Sequence, residues 1–361
     1  MNITQYGRPA VIALAAALAL SSCAANESGA PTGAESDLSG TINAGGASSQ
    51  QAAQEAWTAA FQKSNPDVTV NYDPSGSGAG REAFIAGGSG FAGSDSYLKE
   101  EELAGKFETC APDAKAVDLP VYISPIAVIF NVDGVTDLNV DAPTLAKIFK
   151  GEITKWNDPA IVALNEGTTL PATPITAVHR SDDSGTTKNF ADYLGQNAPD
   201  VWTEKAEDPF PYQTGEGAQG TSGVVDAVTN GVGTIGYADA SRAGDLGVAK
   251  LKVGDEFVAY SAEAAAAVVS GSPLVEGREA NDLAIDLDRK TTDATHYPLV
   301  LVSYAIVCTE YTDPAQAELV KAYVGYMAGA DGQSVAAKSA GAAPLSADLQ
   351  DKVAAVLKSV K

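Results

Sequence analysis

Ala116-Val-Asp-Leu-Pro-Val-Tyr-Ile-Ser-Pro-Ile-Ala-Val-Ile-Phe-Asn131 is the stretch whose reading decides the fold. Its two apolar blocks, Leu119–Ile123 and Ile126–Phe130, are nearly continuous, as in a strand covered on both faces. A second run of this character, Tyr297-Pro-Leu-Val-Leu-Val-Ser-Tyr-Ala-Ile-Val-Cys-Thr309, lies far downstream. If the two run side by side, the middle of the chain is an inserted second domain. The first domain is then built from both ends of the chain, and the two strands form a hinge.

Upstream of Ala116, strand, loop and helix alternate. Thr41–Ala47 reads as a short strand entering a small-residue turn. Ser48-Ser49 is suited to cap a helix reaching about Lys63, with Ala52, Ala53, Ala56, Trp57, Ala60 and Phe61 at helical spacing. Asn65-Pro-Asp67 stops it. Val68–Tyr72 alternates like a strand, Asp73-Pro-Ser-Gly-Ser-Gly-Ala-Gly80 reads as a loop, and a helix follows from about Arg81. Phe91–Asp95 is a strand end and turn. In the middle segment, Ile175–His179 reads as a strand, Thr187–Leu194 as a helix, Gly231–Tyr237 as a buried strand and 261–269 as an Ala-rich helix. Such alternation implies an α/β fold with a mostly parallel sheet flanked by helices. No strict internal repeat is visible.

The chain has 361 residues and a formal net charge of −23, which excludes nucleic acid as an expected partner. Pro9–Leu20 is an apolar run after Arg8, too short to span a bilayer and of the length of a signal-peptide core. It ends at Leu20-Ser-Ser-Cys23, an arrangement like a bacterial lipobox, in which Cys23 becomes the acylated first residue of the mature protein. The alternative is an ordinary signal peptide with a chance cysteine. Residues 1–22 are read as signal peptide and 23–39 as a lipid-anchored flexible tether of Ala, Gly, Ser and Pro. With Cys23 acylated, Cys110 and Cys308 remain, and in an exported protein they are expected to pair; two buried free thiols are the alternative.

His179-Arg-Ser-Asp-Asp-Ser-Gly-Thr-Thr187 carries the chemistry. It joins a strand end to a helix start, and helix N-termini present unpartnered N–H groups and partial positive charge. Arg180 adds a planar fork of donors suited to an oxyanion. Three turns share one design, small hydroxyl and glycine residues ahead of a helix: Ala47-Ser48-Ser49, Ser75-Gly-Ser77-Gly78 and Ser184-Gly185-Thr186. Singly, each more often caps a helix than binds anything. Together they describe helix N-termini that could converge on one anion. Asp95 fits beside an anion only if the guest keeps a proton, because an ionised carboxylate accepts but cannot donate. Phosphate meets that condition near neutral pH; sulfate does not.

The chain resembles the phosphate-binding protein of the bacterial high-affinity phosphate ABC transporter. The resemblance covers nearly the whole mature chain and rests on Gly45-Gly-Ala-Ser-Ser49, Tyr72–Gly80, Ala92-Gly-Ser-Asp95, Gly151-Glu-Ile-Thr-Lys-Trp-Asn-Asp-Pro-Ala-Ile161 and Arg180-Ser-Asp-Asp-Ser-Gly-Thr186. It implies a two-lobed fold like that of the type II periplasmic binding proteins, with two mixed sheets flanked by helices and joined by a two-strand hinge. Domain I comprises 40–124 plus 296–361, and domain II comprises 125–295. It also implies inorganic phosphate as the ligand, a membrane permease as the partner, no cofactor, no metal, no catalysis, a monomer, and attachment outside the cytoplasm to the cell membrane through the lipid on Cys23. Carried over to matching positions, Ala47, Ser48, Ser49, Ser77, Asp95, Arg180, Ser184, Gly185 and Thr186 bind phosphate, and Asp182 holds Arg180. Relatives often carry Thr and a large apolar residue where this chain has Ser48-Ser49, and Gly where it has Asp183.

Other residues have plainer expected roles. His179 sits at a strand end and reads as structural, Lys188 as facing water, and Trp57, Trp156 and Trp202 as packing. A secreted phosphatase or serine hydrolase using Ser184 or Ser77 is the alternative from another class. It lacks a G-x-S-x-G elbow, and the chain has two histidines in all. A binding protein for another oxyanion, or a phosphate sensor not coupled to transport, is the third reading.

Overall fold

The computed structural model describes residues 38–361. The apolar leader, Cys23 and nearly all of the expected tether lie outside the described residues.

The first part of the chain winds β1 (Gly40–Gly46), α1 (Gln51–Ser64), β2 (Val68–Asp73), α2 (Ser77–Ile85) and β3 (Phe91–Ser94) into a parallel unit with β1 in its middle. After the short α3 (Glu100–Leu103) comes β4 (Ala116–Asn131), buried along nearly its whole length. The middle of the chain supplies β5 (Asn139–Val140), α4 (Ala142–Phe149), α5 (Pro159–Leu164), β6 (Thr176–Arg180), α6 (Gly185–Asn197), β7 (Glu216–Ala218), α7 (Gly220–Asn230) and β8 (Thr234–Asp239). Then follow β9 (Gly247–Val248), β10 (Lys250–Val253), β11 (Glu256–Val258) and α8 (Ala262–Gly271). The chain returns through β12 (Val300–Cys308) and closes with α9 (Pro314–Ala328), α10 (Ala330–Ala340) and α11 (Ala347–Ser359). Strands β5, β10 and β11 form a small separate sheet.

The large mixed sheet has the order β2-β1-β3-β12-β4-β8-β6-β7, with β9 also on β4. The two long apolar runs are neighbours, antiparallel, with Val300 opposite Pro125 and Cys308 opposite Ala116. Among the described residues, only β4 serves both halves of the sheet as a strand. Its first part pairs with β12, and Ile126–Asn131 pairs with β8. The return run starts its ladder at Val300 rather than at Tyr297, which instead buries its ring and donates its hydroxyl to the Ile126 carbonyl at 2.9 Å.

Register decides where a ligand can sit. Through β12, Ala92 of β3 aligns with Asp118 and Ser94 with Pro120. Strand β8 runs the other way, from Thr234 opposite Asn131 to Asp239 opposite Ile126. The carboxyl ends of β3 and β8 therefore point at each other across β4 residues 121–125. Strands β1 and β2 run parallel to β3, and β6 and β7 run with β8. All the loops that follow these strands open toward one zone, the usual place for ligands in open α/β sheets.

Cys110 and Cys308 form a disulfide that closes a 198-residue separation with a Cα–Cα distance of 5.3 Å. Trp57, Trp156 and Trp202 are all buried, in packing roles. Trp57 donates to the Gly332 carbonyl at 2.7 Å and Trp156 to the Gly233 carbonyl at 3.0 Å.

Helix starts differ from the expectation in instructive ways. Helix α2 begins at Ser77, four residues before Arg81, although its first turn is glycine-rich. Tertiary packing overrides propensity there. Gly76 ahead of it has φ +109°, and a Cβ at that position would lie 2.5 Å from Asp182 Oδ2. Ser48 and Ser49 do not cap α1; they form a short 3-10 turn with Gln50, and their hydroxyls point elsewhere. Helix α6 does start as its residues imply, with the Ser184 hydroxyl accepting the Thr187 N–H at 3.2 Å.

Candidate functional site

Asp95, the residue after β3, is buried at the meeting point of the two sets of loops. Its carboxylate collects hydroxyl protons from both halves of the sheet. Ser49, after β1, donates to Oδ1 at 2.6 Å, and Ser303 of β12 donates to the same oxygen at 2.5 Å. Thr186, in the first turn of α6, donates to Oδ2 at 2.8 Å. The Asp95 N–H donates to Ser77 Oγ at 3.2 Å, and Asn189 of α6 donates to the Asp95 carbonyl at 2.8 Å. Burial pushes the Asp95 carboxyl above the usual range; the hydroxyls of Ser303, Ser49 and Thr186 and the charge of Arg180 oppose that rise.

Helix α6 approaches closely because Gly185 has no side chain: a Cβ there would lie 2.7 Å from both Asp95 Cβ and the Ser96 nitrogen. The N–H groups of Gly185 and Thr186 belong to the first turn, which has no acceptors within its own helix.

Arg180 ends β6 and is buried. It forks onto Asp182, with Nε donating to Oδ1 at 2.7 Å and Nη2 donating to Oδ2. Asp182 is itself fixed by the Gly220 N–H at 2.9 Å. Burial raises the Asp182 carboxyl, but Arg180 outweighs it and holds the group below its ordinary value. Of the five N–H donors of a guanidinium, two are spent on Asp182.

Ser49, Ser77, Thr186 and Gly185 thus all meet Asp95, and Arg180 lies within electrostatic reach of its carboxylate. Ser48 is buried but turned away: its hydroxyl oxygen accepts the Thr221 N–H at 3.0 Å and lies 2.9 Å from Thr221 Oγ1. The Ala47 N–H is committed to the Gly93 carbonyl at 2.8 Å. The Ser184 hydroxyl serves α6 as its cap. Asp183 is exposed at the surface, and its carbonyl accepts the Gly78 N–H at 3.0 Å. Lys188 does not simply face water; its ammonium lies 4.9 Å from the centre of the Tyr97 ring. His179 is structural, stacked on Phe210 at 4.0 Å with its ring nitrogens 2.9 Å from the carbonyls of Arg180 and Thr214.

Four participants escaped the sequence reading. Thr221 begins α7 in Gly220-Thr-Ser-Gly223, the same small-residue turn ahead of a helix, and that pattern could have found it. Ser303 carries a fainter signal, one hydroxyl in the middle of a buried apolar strand. It sits at a register shift, where Ser303 faces Tyr122 but Tyr304 faces Pro120; such bulges re-aim side chains. Arg81 and Asp208 carry no local signal. Arg81 Nη2 donates to Asp208 Oδ2 at 2.7 Å, joining α2 to the loop between α6 and β7, and Ser96 donates to Asp208 Oδ1 at 2.6 Å.

The arrangement is a buried junction with a cation, helix N–H donors and hydroxyls around a carboxylate, chemistry suited to a small anion that still carries a proton. Among the described residues no cluster of His, Cys, Asp and Glu is suited to a metal ion.

The sequence profile of a PBP superfamily domain matches residues 31–331, which sets the class. Over 339 residues the chain is 38% identical to the phosphate-binding protein PstS 3 of Mycobacterium leprae, covering 90% of each protein. It is 34% identical to PstS 2 of Mycobacterium tuberculosis over the full length of both. The chain belongs to the PstS family within the PBP superfamily. The fold agrees with that of a high-affinity periplasmic phosphate-binding protein solved with phosphate, at a TM-score of 0.70 and 22% identity over 88% of this chain and 93% of that one. It also agrees with that of a phosphate-binding protein from Stenotrophomonas maltophilia, at a TM-score of 0.61 and 19% identity over 88% and 94%.

Proposed function

We propose that this protein captures inorganic phosphate outside the cytoplasm and delivers it to the membrane permease of an ABC transporter. The observation that carries the reading is the junction at Asp95, where hydroxyls from both halves of the sheet meet one buried carboxylate within reach of Arg180. PstS relatives at 38% and 34% identity support it.

In this reading, residues 40–124 plus 296–361 and residues 125–295 act as two lobes that open about β4 and the return passage before β12. Phosphate touches both lobes, so it favours the closed arrangement and shifts the population toward it. Arg180, the N–H groups of Gly185 and Thr186, and the hydroxyl of Ser77 donate to its oxygens, while Ser49 and Thr186 line the site with their hydroxyls on Asp95. Asp95 accepts its remaining proton. Ser48, Ala47 and Ser184 shape the walls through their backbones and neighbours. Hydrogen bonds to charged groups contribute about 1.5–3 kcal/mol each, enough in a dry site to exceed the ordering cost. The lipobox-like Leu20–Cys23 supports acylation of Cys23 after removal of residues 1–22, with 23–39 as tether to the membrane and the body acting as a monomer.

A hydrolase reading finds little support. The hydroxyl oxygen of Ser184 accepts the Thr187 N–H and that of Ser77 accepts the Asp95 N–H, while both His179 ring nitrogens face backbone carbonyls. A nucleophilic serine needs a base within reach.

Titration calorimetry with phosphate, arsenate and sulfate tests the proposal. Phosphate and arsenate are expected to bind and sulfate to fail. Equal binding of sulfate, or no heat with phosphate, would refute it.

A further inference from the structure

A line of buried hydrogen bonds runs from α9 through α1 and β12 into Asp95. The Tyr323 hydroxyl donates to Gln54 Oε1 at 2.9 Å, and Gln54 Nε2 donates to Gln50 Oε1 at 2.8 Å. Gln50 Nε2 donates to Ser303 Oγ at 2.7 Å, and Ser303 donates to Asp95 Oδ1. Gln50, Gln54, Ser303 and Tyr323 are all buried.

The direction of this line is locked at Gln50. Its Nε2 also lies 3.2 Å from the Tyr304 carbonyl, a group that only accepts. The amide nitrogen must therefore face β12, and the amide oxygen must face Gln54. Ser303 receives a proton from Gln50 and has one of its own, which goes to Asp95. Reversal would set the Gln50 oxygen against the Tyr304 carbonyl and its nitrogen against the Gln54 nitrogen.

This has a consequence at the carboxylate. Oδ1 takes protons from Ser303 and Ser49, which fills its two lone pairs. Oδ2 takes one from Thr186 and keeps one accepting position. We infer that Gln50 and Ser303 are positioning residues that hold Asp95 as an acceptor, and so set the preference of the site for a protonated oxyanion over a fully ionised one. This rests on the phosphate reading above. The other charged and titratable groups that interact with Asp95 are Arg180 from β6, Asp239 at the end of β8 and Tyr72 from β2. Of these, Arg180 favours the ionised carboxylate.

The test uses the full chain with Ser303→Ala, Gln50→Leu and Gln54→Met, titrated with phosphate alone and with sulfate as competitor. Ser303→Ala and Gln50→Leu are expected to weaken phosphate about tenfold to a hundredfold, the size of one lost hydrogen bond to a charged group. They are also expected to let sulfate compete, because Asp95 can then take up a proton and donate it. Gln54→Met, two links from Asp95, should narrow the selectivity in the same direction by less. Ser303→Thr keeps the hydroxyl and should restore the wild-type ratio, which a general packing defect would not allow. Variants that weaken both anions in proportion would overturn the inference while leaving phosphate binding by the wild type intact. A wild type that does not discriminate between the anions would bring down the phosphate reading itself, and this inference with it.

Discussion

Arg180 and Arg81 are both buried and both paired with aspartate, yet they are committed differently. Arg180 meets Asp182 two residues along its own loop and spends one edge of its guanidinium on it. Arg81 meets Asp208, 127 residues away, and its other nitrogens go to Glu102 at 2.9 Å and Ser94 at 3.1 Å. The first pair orients a cation and leaves it donors for a guest. The second commits all three guanidinium nitrogens in tying α2 to its surroundings and to the loop before β7. Both aspartates stay below the ordinary carboxyl range because arginine outweighs the burial that would raise them. Asp95 and Asp239 are also buried, but their direct donors are hydroxyls and backbone N–H groups, and burial wins at both. Among these four, an arginine of its own goes with a lowered carboxyl and its absence with a raised one; Arg278, shared between the buried Asp118 and Asp282, lowers neither below its ordinary value.

Removing Arg81 should have the largest effect. Arg81→Ala leaves Asp208 buried with the Ser96 hydroxyl at 2.6 Å and the weaker charge of Lys99 at 3.6 Å, and breaking such a pair costs about 3–5 kcal/mol. Denaturant unfolding is expected to show that loss. A change below about 1 kcal/mol would make the tie ornamental.

Arg180→Ala should act on the ligand instead. Phosphate affinity is expected to fall by about 2–4 kcal/mol, with a smaller stability loss than Arg81→Ala. Unchanged affinity in calorimetry would remove Arg180 from the site.

Asp239 sharpens the contrast through pH. Burial pushes its carboxyl up to about 6 from an ordinary 3.8. The folded state therefore holds this proton more tightly than the unfolded state does, and the ionised group weakens the fold above pH 6. As pH falls from 6 toward 4 that penalty is relieved, by an amount of order 2 kcal/mol. Wild type should gain stability relative to Asp239→Asn over this range. Parallel pH–stability curves for the two would contradict the assignment.

Thr221→Val should have the smallest effect. It removes a neutral hydroxyl facing Ser48 at 2.9 Å, worth about 0.5–1.5 kcal/mol. A loss as large as that of Arg81→Ala would show that the neutral tie matters as much as the ionic one.

What could be read from the chain alone follows the range of each interaction. The Arg180–Asp182 pair and the Ser184 cap on Thr187 lie within residues 180–187, so local chemistry exposes them. The pairing of β4 with β12 was legible because two apolar runs of this length have few other places to go. Arg81 and Asp208 were not legible: nothing near either residue distinguishes a tie across the molecule from a solvated charge. Ser303 was hidden for another reason. Its role depends on a register shift against Pro120 and Tyr122, which is a property of two strands together. Ser48 illustrates the converse: its loop marks it as a phosphate contact, but the fold buries it and spends its hydroxyl on Thr221.

A crystal structure of the protein grown with inorganic phosphate tests the central claim most directly. The expected result is a tetrahedral anion between the two sets of loops, within hydrogen-bond distance of the Arg180 guanidinium, the first N–H groups of α6 and the Asp95 carboxylate, with Arg81 still on Asp208. An anion bound elsewhere, or Arg180 turned out to solvent with the space beside Asp95 empty, would contradict it.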